Sequence, residues 1–123
     1  MKRNPIIDAL AQAVQGLLYI SESEAELTPF LWQEAGDLSE ERLLKLAGAA
    51  AGTAVESEAL ANFFRTVSQE DKPKFDKLAK VLNEQLAQIK VYKIGDEAEK
   101  DVFIVGKTRD GQWAGVKTSA VET

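Results

Sequence analysis

The 123-residue sequence predicts an α+β domain, a mainly antiparallel four-stranded sheet with helices packed on its faces. Three observations predict it. Phe75, Leu78, Leu82, Leu86 and Ile89 recur at three and four residues, the period of an amphipathic helix. After them, VYKI (91–94), DVFIVGKT (101–108) and QWAGVKTSA (112–120) read as strands joined by residues 95–100 and 109–111, and Asp110-Gly111 is a hairpin turn signal. Before them come helix-like segments and one early strand.

From the start, Asn4 followed by Pro5 reads as a cap and first helical position. Ile6, Leu10, Val14 and Leu17 then give helical spacing, with Gly16 marking the end. PFLWQE (29–34) is the early strand, with its proline where a ladder donor is least needed. Ser39 with Glu40 and Glu41 caps a short helix that buries Leu43, Leu44 and Leu46 and stops by Gly48. A small-residue connection follows. Ser57 with Glu58 looks like a second cap, before Leu60, Phe63, Phe64 and Val67. Residues 68–74 are a polar link, and the long helix runs from Pro73. ESEA occurs at both 22–25 and 56–59; the capping chemistry of Ser-Glu accounts for it without a repeat.

With 45% hydrophobic residues the chain fills one core, so residues 1–123 are read as a single domain. There is no cysteine and no histidine, which removes disulfides, thiolate metal sites and the commonest general base. Asp8, Gln12 and Gln15 interrupt any signal-peptide core, and no apolar run is long enough to span a bilayer. The expected location is cytoplasmic.

Net charge is −5, and residues 1–60 carry ten acids against four bases. From Asn4 to Glu41 there is no basic residue at all. Such a domain repels nucleic-acid phosphates, but can attract a protein whose own task is to bind them.

Several motifs reduce to ordinary structure. GKT at 106–108 lacks the upstream glycine and following helix of a phosphate loop. DEAEKD (96–101) lacks calcium-loop spacing and reads as a charged hairpin tip. Lys72, Lys74, Lys77 and Lys80 are interleaved with Asp71, Asp76 and Glu84, a solvated face. Glu22 and Glu24 as an acid–base pair would need a pocket that splits their pKa values, and nothing nearby supplies one. Ser21-Glu22-Ser23-Glu24 is then either a helix cap with solvated acids or an anionic contact surface. The residues alone favour the cap.

Taken together, GLLYISESEAELTPFLWQE (16–34), VYKIG (91–95) and DVFIVGKTRDGQWAGVKTSAVET (101–123) resemble the nuclease A inhibitor family, small acidic proteins that block sugar-nonspecific DNA/RNA endonucleases. The resemblance runs nearly end to end. It implies an α-β-α sandwich and a non-catalytic inhibitor, without a cofactor of its own and monomeric when free. The nuclease would be magnesium-dependent. It further implies that the first glutamate of the S-E-S-E motif and the C-terminal threonine are the key contacts, carried over here to Glu22 and Thr123. Glu24 and Glu122 adjoin them on the nuclease-binding surface, and Thr123 would reach the magnesium of the partner nuclease. Members also carry a longer, tryptophan-bearing loop where TVSQEDKPK (66–74) is short and lacks an aromatic. The alternative function is an acidic interaction module for a basic partner other than a nuclease.

Overall fold

The computed structural model describes residues 5–20, 24–33, 37–65, 67, 69–95 and 98–121. Pro5 opens α1 (Pro5–Val14), where its fixed φ suits the first turn; the capping position read at Asn4 lies outside the described residues. Leu10 and Val14 are buried at the expected spacing, and Gly16 at φ +73° takes the chain out of the helix. Leu17, expected as a helical position, is buried beyond the helix end. Next comes a hairpin that the sequence reading did not contain, β1 (Leu18–Ile20) against β2 (Glu24–Glu26), and then the expected early strand, β3 (Thr28–Trp32).

The cap at Ser39 holds. Its hydroxyl accepts from the Arg42 N–H at 3.2 Å, Glu40 and Glu41 occupy the first turn of α2 (Glu40–Ala47), and Gly48 closes the helix at φ +77°. The cap expected at Ser57 is a correction: residues 55–58 form β4 (Val55–Glu58), and α3 (Leu60–Phe64) starts after Ala59 with no side-chain cap. That strand makes the main sheet five-stranded instead of four-stranded, in the order β3-β7-β6-β5-β4, where β5 is Ala87–Ile94, β6 Glu99–Lys107 and β7 Trp113–Val121. All four pairings are antiparallel.

Lys72–Gln85 form α4, with Phe75, Leu78 and Leu82 buried at the predicted spacing. Ile89, expected at the far end of this helix, belongs to β5 instead. The cause is a bulge: register shifts between Ala87 and Lys90, and Gln88 adopts φ +54°. Alternation is lost there, so the apolar spacing mimics one more helical turn. The bulge lies over Gly106, where a Cβ would sit 2.6 Å from Leu86 Cβ and 2.9 Å from Ile89 Cγ1.

Along β6 the side chains alternate between two cores, which is why the run VFIV (102–105) is apolar without interruption. Val102 and Ile104 face α1, α3 and α4; Phe103 and Val105 face α2 through Leu43 and Leu44, beside Trp113. Phe30 and Trp32 close the second core over Phe103, at ring separations of 5.7 and 5.6 Å. Opposite Val105 of the neighbouring β6, only glycine fits position 115 of β7, since any Cβ would fall on the Ile104 carbonyl oxygen.

Candidate functional site

The β1–β2 hairpin is a ribbon with two unlike faces. Its register pairs Leu18 with Glu26, Tyr19 with Ala25 and Ile20 with Glu24. Because strand side chains alternate, Tyr19 and Ala25 turn inward while the other four turn out. Tyr19 is buried and its ring stacks on Phe63 of α3, 4.8 Å between centroids and 19° between planes. Leu17 and Leu27, at the two feet of the hairpin, are also buried in the core against α1 and α4. The ribbon is thus anchored at its middle, by Tyr19, and at its base, by Leu17 and Leu27.

Its acidic strand lies against the end of the sheet. Thr28 pairs with Lys117 and β3 runs antiparallel to β7, so stepping back from Thr28 towards Glu24 follows β7 from Lys117 towards Val121. Ala25, Glu26 and Thr28 share a shallow cleft of about 330 Å³ with Lys117, Thr118 and Ser119. On the other side of β7, Glu99 pairs with Val121 and Asp101 with Ser119. Asp101 thereby lines the same cleft as Glu26, with Lys117 between the two strands.

Of the sequence-predicted site residues, Glu24 is exposed on β2, not in a helix cap. Glu22, Glu122 and Thr123 lie outside the described residues. Among the described residues neither Glu24 nor Glu26 has an ion-pair partner. The contrast with the other ESEA segment is direct: in β4, Glu56 pairs in register with Lys93, and its carboxylate lies 3.7 Å from Lys100 Nζ.

The remaining motifs resolve as structure. Gly106 and Lys107 of GKT are in β6, and Thr108 is buried in the turn that follows, its hydroxyl accepting from the Gln112 N–H at 3.0 Å. Two further clefts, of about 580 and 590 Å³, are each lined by one carboxylate among the described residues, Glu41 and Asp76. No group of three or more metal-ligating side chains occurs among the described residues, and no helix there is long and apolar enough to cross a membrane.

Compared with known families, the chain matches the model of the nuclease A inhibitor-like proteins over residues 4–123. The chain belongs to the nuclease A inhibitor-like family. Comparison with curated proteins gives no match. For a nuclease A inhibitor-like protein the two-faced hairpin is the feature of interest, with Tyr19 and Ala25 turned inward and Glu24 and Glu26 exposed on the outside. Sequence reasoning missed the ribbon itself. Its signal was Leu17 to Ile20, a run of four β-compatible residues straight after a helix-ending glycine.

Proposed function

We propose that the protein inhibits a magnesium-dependent, sugar-nonspecific endonuclease by occupying its phosphate and metal site with the acidic hairpin and the C-terminal residues. The observation that carries this reading is the side-by-side placement of β2 and the end of β7 in a chain of this family, with neither Glu24 nor Glu26 in an ion pair among the described residues.

A nuclease that cuts any nucleic acid must recognise what all of them share, the phosphodiester. Its cleft therefore carries arginine or lysine beside a magnesium ion that keeps exchangeable oxygen positions for the scissile phosphate. Glu22 takes the place of a phosphate beside a cleft cation, and Glu24 extends the anionic surface next to it. Thr123 supplies oxygen to the nuclease's magnesium, with Glu122 beside it. These groups offer charge and oxygen atoms without a bond to cut, so the cleft is filled and nothing turns over.

The test is inhibition of a purified magnesium-dependent nonspecific endonuclease on DNA and on RNA. Both reactions stop together at stoichiometric inhibitor, because the occupied element is common to both substrates. Inhibition of one nucleic acid alone, or of neither, refutes the reading.

A further inference from the structure

Among the described residues the two large aliphatic side chains left exposed are Leu18 and Ile20, at 36% and 55%, and both sit on the outer face of β1. Across the ribbon they meet Glu26 and Glu24. A carboxylate opposite an aliphatic group gains little from the pairing, so the fold itself does not account for this face. Single exposed aliphatics are normal on protein surfaces. Here, however, the two are neighbours, about 7 Å apart along the strand, and continuous with a groove. That groove, of about 470 Å³, runs between the end of α1 and the foot of the hairpin; Val14, Leu17, Leu18, Leu27 and Pro29 wall it, with the exposed Glu26 at its rim.

Aliphatic walls with a carboxylate at the mouth suit one kind of guest, a long side chain with an apolar stem and a cationic head. Proteins that hold nucleic acid carry such side chains along the edges of their clefts, where arginine and lysine contact the phosphates. We propose that the outer face of the hairpin, Leu18 and Ile20 with Glu24 and Glu26, and the groove beside Leu18 form a second docking surface for the nuclease. It seats an arginine or lysine from the rim of the cleft, the stem on the aliphatic residues and the head on the carboxylates. This rests on the functional reading above and adds selectivity to it. Phosphate and metal sites are alike among nonspecific nucleases, whereas rims differ, so this face decides which of them is held tightly.

The test compares Ile20→Ser and Glu26→Gln with the parent protein as inhibitors of the endonuclease that the parent inhibits, at low and at high salt. Each weakens inhibition about tenfold, the equivalent of leaving roughly half an isoleucine side chain in water, while the melting temperature stays within a degree or two. At high salt the loss from Glu26→Gln shrinks and that from Ile20→Ser persists, because only the former is screened. The double variant loses less than the product of the two, since both residues hold one guest. Parent-level inhibition by both variants overturns the docking face and leaves the functional reading standing. Absence of inhibition by the parent overturns both. If sedimentation shows that the free parent self-associates and Ile20→Ser abolishes this without changing inhibition, the face belongs to a second copy of the chain and the proposal is wrong.

Discussion

Replacing Tyr19 by alanine tests whether the hairpin is held as the structure describes. Tyr19 is 7% exposed and stacks on Phe63, which is 1% exposed; Phe63 in turn lies 5.7 Å from Phe64, and Phe64 5.2 Å from Phe75 of α4. Truncating a buried aromatic ring costs about 3 to 5 kcal/mol, and the hairpin's position at the margin of the core places this site near 3 kcal/mol. About 1 kcal/mol of that belongs to the stacked pair itself. For a chain of this length the unfolding entropy converts 3 kcal/mol into a fall of about 12 °C in Tm. Urea unfolding followed by tryptophan fluorescence measures the loss, with an unchanged denaturant slope showing that the same surface unfolds. A double-mutant cycle with Phe63→Leu isolates the ring–ring contribution, expected at about 1 kcal/mol. Folded Tyr19→Ala protein is also a weaker inhibitor, because a loosened hairpin must be ordered again on binding. A loss below about 1 kcal/mol, or zero coupling to Phe63, would refute the anchored-ribbon account.

Glu22→Ala lowers affinity for the nuclease by about 2 kcal/mol or more, measured by titration calorimetry, while thermal unfolding is unchanged; lost stability with intact binding would assign the residue to the fold alone. Deleting Thr123, or extending the chain past it with a tag, weakens inhibition, whereas the same tag before Met1 has no effect; equal inhibition by the C-terminally tagged protein would sink the tail-to-metal mechanism. Thr118, buried in β7, has a hydroxyl without a hydrogen-bond partner among the described residues, so Thr118→Val raises stability by about 1 kcal/mol in urea unfolding. Burial pushes the Tyr92 phenol above its ordinary value. Its folded form therefore favours the protonated state, and the stability this contributes is complete below about pH 10 and lost as pH rises through the folded pKa. Tyr92→Phe makes the alkaline limb of a stability–pH profile shallower, and an unchanged limb would count against a buried phenol.

The C-terminal half was legible because its signals are local. Asp110-Gly111 dictates a turn, and the apolar runs on either side of it are long enough to reveal a sheet covered on both faces. The errors came where a short segment had two readings. Ile89 kept helical spacing with Leu82 and Leu86 only because the bulge at Gln88 broke the alternation that would have marked a strand. Among the site residues, Glu24 stands out through the family motif and the acidic composition around it, while its outward direction follows from a hairpin that the residues alone do not disclose.

The residues alone favour a helix cap for both ESEA segments, against an anionic contact surface for the first; in the structure Glu24 and Ala25 lie in β2 and residues 56–58 in β4, whereas Ser39-Glu40-Glu41 caps a helix as expected. The difference lies downstream. RLLKLA propagates a helix, so a cap there has something to begin; after Ala25 come Glu26, Leu27, Thr28 and Pro29, and after Ala59 only a five-residue helix. Polar, charged residues also suit exposed ribbons and edge strands, where they discourage pairing with another chain, so Ser-Glu by itself does not separate the two. What separates the two copies from each other is the strand opposite. In β4, Glu56 faces Lys93 in register and reaches Lys100, so its charge is met within the fold. In β2, Glu24 and Glu26 face Ile20 and Leu18, and no described cation pairs with them. An exposed surface ion pair is worth at most about 1 kcal/mol, so the fold gives up little by leaving the first pair of acids unmatched. A partner that brings its own cations onto an aliphatic floor, out of water, gains more from the same carboxylates than the fold would have done. Under the proposed function, Glu56 of one ESEA segment serves the fold and Glu24 of the other serves binding, and the residue on the opposing strand, Lys93 in one case and Ile20 in the other, makes the difference.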